Sequence, residues 1–273
     1  VLYKKTVNNF YPKPNQEINR YKGSNIKINN IGMRTNFNWE NSNNKIKIII
    51  FGDSVAYGGS YIDNNNLFSE ILCKEFVDNS ICGNLGVNGY FIDNIFFRLN
   101  DIDEEYYDHI IILVSSIIET GKTNLYEFPF YEHYNYFILR ASFEIFNHIL
   151  YKYKIYNAYN QNKKINKIIE KKQTQNFINL IDNLSDKKII SFFILPTLED
   201  LKAQNKKIRL LEMIKFQNIE LINLYDDIVK ENYKELYFNN AHLNEKGHRY
   251  VAEIIYDKIK WNLEKILFEL VFY

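Results

Sequence analysis

Short, uninterrupted runs of apolar residues recur along a chain otherwise rich in Asn, Lys and Tyr, and amphipathic stretches separate them. "KIKIIIF" at 45–51 is a short apolar stretch rich in β-branched residues, which predicts a strand covered on both faces. "NLFSEILCKEF" at 66–76 then places Leu67, Ile71, Leu72 and Phe76 at helical spacing. "SICGNLGVNGY" reads as a second strand running into a glycine loop, and "FIDNIFFRLNDI" as the helix after it. "DHIIILVSS" at 108–116 predicts a third strand, "KKIISFFILPT" at 187–197 a fourth ended by Pro196, and "IELINLYDDI" at 219–228 a shorter fifth. From about Lys246 a final helix carries Val251, Ile254, Ile255 and Ile259 along one face. Strands alternating with helices imply parallel order, and hence a three-layer, doubly wound α/β domain that binds ligands at the carboxyl ends of its strands.

Two regions break the rhythm. Residues 1–45 are polar and poorly periodic, with Pro12 and Pro14 opposing helix, and are expected to form an irregular lead-in. Residues 121–186 predict a helical insertion with Leu139, Phe143, Phe146 and Leu150 on one stripe, serving either as packing at the sheet edge or as a lid. The 273 residues are expected to form a single domain, 1–273.

Composition narrows the partners. With 34 basic and 33 acidic residues interspersed and a net charge of +1, no field draws the chain to a phosphate backbone, so nucleic acid is not an expected partner. The apolar runs are far shorter than the ~20 residues a transmembrane helix needs. The sequence begins at Val1 and not Met, which leaves room for a signal or anchor ahead of it; the compartment stays open between the cytoplasm and an extracytoplasmic space. Two cysteines, Cys73 and Cys82, fit neither a disulfide scaffold nor a four-ligand zinc site, and a single bridge between them remains open. The 22 Tyr and 20 Phe supply core area, or flat surfaces that stack on sugars.

The chemistry sits after the first buried strand, where "GDS" sets Asp53 and Ser54 at a strand end. Ser54 is either part of a helix cap or a nucleophile beside the N–H groups that open a helix and could hold an oxyanion. Near the C-terminus, "NNAHLNEKGHRYVAE" at 239–253 places His242 in a loop just before a helix. A neutral imidazole there can take the serine proton and return it to a leaving group. His248, on the helix, reads as structural.

"IIIFGDSVAYGGS" resembles the first block of the SGNH (GDSL) hydrolases, with Ser54 at the nucleophile position. "NLGVNGYFIDN" is similar to their second block, whose glycine N–H helps hold the oxyanion and maps to Gly89. "AHLNEKGHRYVAEII" resembles their last block, with His242 as base, and "INNIGMRTNF" and "FFILPTLEDL" also look like relatives acting on acyl groups of carbohydrates or lipids. The resemblance implies a flavodoxin-like fold of SGNH type and a serine-dependent hydrolase or transferase of O-acyl esters, most of all O-acetyl groups on a carbohydrate. It implies no metal or organic cofactor, and an acylated small molecule or polysaccharide as partner. Two positions depart from the family. Ser116 stands where an oxyanion-binding Asn is usual, so its hydroxyl is the expected third oxyanion donor beside the N–H groups of Ser54 and Gly89, and Asn239 stands where the acid of the triad is usual. Three readings follow: a Ser54/His242 dyad oriented by Asn239, a carboxylate supplied from elsewhere, or a retired site serving as a binding or assembly module. Asp53 is a candidate pocket residue, as are Asp93 and Glu119 near predicted strand ends, for which surface polarity is an equal explanation.

Overall fold

The computed structural model describes residues 3–6, 9–19, 24–39, 45–118, 163–206 and 214–272. The lead-in is more regular than the sequence predicts. β1 (Tyr3–Lys5) pairs antiparallel with β2 (Phe10–Pro12), and β3 (Gln16–Asn19) with β4 (Asn25–Ile28). Pro12 is tolerated because it ends a two-stranded ladder, where a missing N–H leaves no neighbour unpaired.

The five apolar runs form one parallel sheet: β5 (Ile46–Gly52), β6 (Ser80–Asn84), β7 (His109–Ser115), β8 (Ile189–Leu195) and β9 (Leu221–Asn223), in spatial order β6-β5-β7-β8-β9. Renumbered by appearance this is 2-1-3-4-5, the flavodoxin-like order, with its reversal at the first strand. A crevice therefore opens where β5 and β7 end, and the register Gly52↔Leu113 sets those two ends side by side.

Helices cover both faces. In chain order they are α1 (Ser54–Tyr57), α2 (Phe68–Ile71) continuing through a π-turn at Leu72–Phe76, α3 (Ile92–Asn100), α4 (Lys163–Ser185), α5 (Leu198–Lys202), α6 (Tyr225–Val229) and α7 (Glu245–Phe272). Successive strand residues point to opposite faces. Ile48, Ile50, Ile111, Leu113 and Phe193 pack with Phe68, Ile228, Val251 and Ile255 on one side. Ile49, Phe51, Ile110, Ile112 and Phe192 pack with Ile92, Ile95, Phe177 and Ile181 on the other. The two apolar layers explain why the central strands show no polar alternation; each such side chain, fully buried, contributes about 1.5–3 kcal/mol.

The expected insertion at 121–186 falls mostly outside the described residues; its end, α4, packs along the sheet. Cys73, in the π-turn, and Cys82, in β6, form a disulfide across a Cα–Cα distance of 5.7 Å. Among the described residues no helix is long and apolar enough to cross a membrane, and no cluster of His, Cys, Asp and Glu could hold a metal ion.

Candidate active site

Asp53, not Ser54, is the cap of α1: its carboxylate accepts from the Val55 N–H at 3.0 Å, leaving Ser54 as the first helical residue. That division of labour frees the Ser54 hydroxyl. The helix is a single turn, so its exposed carbonyls need outside partners. Ser54 O receives the Gly58 N–H, Ala56 O receives the Asn84 amide at 2.7 Å, and Tyr57 O receives the Arg34 guanidinium at 2.7 Å. Arg34 is 1% exposed, and among the described residues no carboxylate hydrogen-bonds to its guanidinium. It instead gathers the carbonyls of Tyr57, Gly59 and Ile62 and the Asn64 side chain, and lies over the Tyr57 ring. The loop after β6 closes on the same turn: a Cβ at Gly86 would lie 2.5 Å from the Tyr57 nitrogen and 2.8 Å from the Ala56 carbonyl carbon, so only glycine permits this approach.

His242 reaches the serine from 188 residues away, with Nε2 2.9 Å from Ser54 Oγ. Its tautomer follows from the hydrogen bonds of Asn239. Asn239 Oδ1 accepts the backbone N–H groups of Ala241 at 3.1 Å and His242 at 3.0 Å, which fixes that atom as the oxygen. Nδ1 of His242, 3.0 Å from the same oxygen, must then carry the proton, and Nε2 is left as the acceptor for the serine hydroxyl. The His242 loop is tied down at Asn240, whose carbonyl accepts the Leu198 N–H at 2.7 Å and whose side chain accepts the Glu199 N–H at 2.9 Å. It is tied again at Tyr237, whose hydroxyl donates to Pro196 O. Sequence reasoning missed Arg34, Asn84 and Asn240 as positioning residues.

Burial holds the His242 pKa below its ordinary value, and the Asp53 carboxylate opposes this by attracting positive charge to the ring. Asp53 is itself pushed up by burial, and the bonds it accepts from the Ser115 hydroxyl at 2.6 Å and from the Val55 and Ser115 N–H groups pull it back. Its two oxygens thus lie behind the nucleophile, occupied by the ends of α1 and β7, and do not line an open pocket.

Ser116 is a correction to the sequence reading. Its hydroxyl donates to Asp200 at 2.5 Å and accepts the Thr197 N–H at 3.2 Å, so its hydrogen is committed to the cap of α5 and not to an oxyanion. Asp93 is likewise displaced from its expected place: it sits fully buried in the first turn of α3, closed off from any surface pocket. Glu119 lies outside the described residues. Gly89 lies in the loop that leads into α3 and has φ +80°, a conformation that favours glycine. His248 is fully buried, with Nδ1 accepting the Phe68 N–H at 3.3 Å and burial pushing its pKa down to about 3. It is structural, as the sequence suggests.

No protein-family model and no curated protein matches the chain. Solved structures do resemble it. A member of the lipolytic protein G-D-S-L family from Veillonella parvula is 17% identical and spans 76% of this chain and 94% of its own, with a TM-score of 0.42. A lipase/acylhydrolase from Enterococcus faecalis is 14% identical over 80% of this chain and 96% of its own, with a TM-score of 0.48. LAE5, an alpha/beta hydrolase enzyme from the Lake Arreo metagenome, is 10% identical over 76% and 91%, with a TM-score of 0.42. At these scores the likenesses carry no argument about chemistry, which rests on the side chains of the site.

Proposed function

We propose that the chain is a serine-dependent hydrolase or transferase of O-acyl esters, with O-acetyl groups on carbohydrate as the favoured substrate. The observation that carries this reading is the relay Asn239 Oδ1···His242 Nδ1 and His242 Nε2···Ser54 Oγ, at 3.0 and 2.9 Å, at the carboxyl end of the first strand of a doubly wound sheet.

Ser54 Oγ attacks the acyl carbonyl as its proton passes to His242 Nε2. The backbone N–H groups of Ser54 and Gly89 are the proposed donors to the oxyanion. Collapse of the tetrahedral species breaks the ester C–O bond, and the leaving alkoxide takes the proton from His242. The acyl group is left on Ser54. Water or an acceptor hydroxyl then repeats the sequence, giving its proton to His242 as it attacks and regenerating the serine.

Asn239 holds the tautomer but brings no charge to the imidazolium. The Asp53 carboxylate is the buried charge whose attraction for protonated His242 takes part of that role, though with no direct bond to the ring. The combination supports a dyad oriented by an amide, with electrostatic help from the residue preceding the nucleophile.

The neutral Asn239 also favours a second reading, a binding module that has kept the fold and lost turnover. Hydrolysis of p-nitrophenyl acetate separates the two. Turnover that disappears in Ser54→Ala and His242→Ala supports the enzyme. Turnover unaffected by Ser54→Ala removes the mechanism, and no turnover in any form supports the module.

A further inference from the structure

The geometry points to an aromatic platform, Phe238 backed by Tyr61, that receives the alcohol half of the ester as a pyranose ring face; the assignment of halves rests on the proposed ester chemistry.

Tyr237 and Leu243 form an antiparallel bridge, and the Phe238 N–H donates to His242 O at 2.8 Å. In such a ladder, residues opposite one another project to the same face, and each step along a strand switches faces. Tyr237 and Leu243 both point inward and are buried. Phe238 and His242, one step on, therefore share the other face, the one on which His242 meets Ser54.

Phe238 is 60% exposed, unusual for a large apolar ring beside a buried core. It is also held in place. Tyr61 stacks against it at a centroid separation of 4.1 Å and an interplanar angle of 23°, and the Tyr61 hydroxyl donates to Leu243 O at 3.0 Å. Tyr61 belongs to the loop whose carbonyls Arg34 gathers, so the nucleophile turn, the His242 loop and the platform are braced together. The ring keeps one face on Tyr61 and offers its remaining surface to solvent.

The chemistry says which part of a substrate meets this ring. In acyl transfer the leaving oxygen takes its proton from the imidazole, so the alcohol half lies against His242 while the acyl oxygen turns to the backbone donors. Phe238, standing opposite His242 in the ladder, borders the alcohol side. A lipid tail needs a continuous apolar trough. Here the ring is followed directly by exposed Asn239 and Asn240, and the Asn239 side-chain NH2 has no protein partner among the described residues. A flat aromatic face beside an amide donor suits a sugar, whose C–H face stacks while its hydroxyls accept hydrogen bonds.

The test uses the full chain in a Ser54→Ala background, so that ligand is not consumed, with methyl 6-O-acetyl-α-D-glucopyranoside as probe. Saturation-transfer NMR is expected to show transfer to the pyranose protons, with affinity falling about five- to tenfold on adding Phe238→Ala, in line with the loss of one aromatic stacking contact, and recovering with Phe238→Trp. Affinity equal in the Ser54→Ala and Ser54→Ala/Phe238→Ala proteins, or no binding at millimolar ligand, overturns the platform. Turnover of p-nitrophenyl acetate by wild type, measured in parallel, reports on the ester chemistry alone. Binding that depends on Phe238 without turnover retains the platform and removes the reaction, while turnover with binding indifferent to Phe238 does the reverse.

Discussion

Replacing Asn239 by Asp is expected to raise activity and to move its pH dependence. The substitution is nearly isosteric, and the carboxylate can accept the same backbone N–H groups of Ala241 and His242 that Asn239 Oδ1 accepts at 3.1 and 3.0 Å. What changes is the charge opposite His242 Nδ1, now 3.0 Å from a neutral oxygen. A unit charge about 4 Å from the imidazolium is worth roughly 1 kcal/mol in water and 4 kcal/mol at an effective dielectric near 20. Asn239 is exposed and His242 half-buried, so a value of about 1.5 kcal/mol is reasonable, or about one pKa unit. The base must be neutral to act. Because burial lowers the His242 pKa, the wild-type acid limb of kcat/KM is expected below the ordinary histidine value. Asn239→Asp stabilises the protonated form, so its limb should move about one unit to higher pH. The same attraction stabilises the imidazolium in the transition state, and kcat on the plateau should rise about tenfold. Asn239→Ala loses both the tautomer control and the loop bonds and should cost at least tenfold in kcat/KM. The measurement is the pH profile of kcat/KM for p-nitrophenyl acetate in the three proteins. An unmoved limb in Asn239→Asp together with an unaffected Asn239→Ala would refute the role given to Asn239.

Three further outcomes follow. Ser116→Ala should leave kcat within about threefold of wild type, since its hydroxyl serves the α5 cap, whereas loss of a true oxyanion donor costs about 10²–10³; steady-state kinetics decides. Arg34→Lys keeps the charge but cannot reach three carbonyls and Asn64 at once, and should destabilise by about 2–3 kcal/mol in urea unfolding with a matching loss of kcat. Opening the Cys73–Cys82 bridge, by reductant or by Cys73→Ala/Cys82→Ala, should cost about 2.5 kcal/mol of stability by chain entropy for a sequence separation of 9, read as a lower urea midpoint.

The sheet was legible because a strand buried on both faces must be continuously apolar, and the run at 48–51 and its counterpart at 110–114 have no other comfortable home. Ser54 and His242 were legible because each falls at an element boundary, Ser54 opening α1 directly after β5 and His242 in the loop just before α7. The N-terminal ladders were not, since two-stranded pairs of three or four residues need no long apolar pattern, and Pro12 argues against strand by propensity. Ser116 was misread for another reason. Sequence places a residue near a strand end, but direction depends on competing partners, and the Thr197–Asp200 capping box supplied a stronger one. Arg34 illustrates the same gap: a cation buried against backbone carbonyls leaves no trace in an apolar pattern, because its partners are the carbonyls of whatever residues form that loop.

The most direct measurement is the site and rate of modification by a fluorophosphonate, which reports on a serine oxygen activated by a neighbouring base. A single adduct on the peptide containing Ser54, absent in Ser54→Ala and slowed at least a hundredfold in His242→Ala, is the expected result. An adduct on another residue, labelling that survives Ser54→Ala, or a Ser54 inert to the reagent in the folded protein contradicts the account.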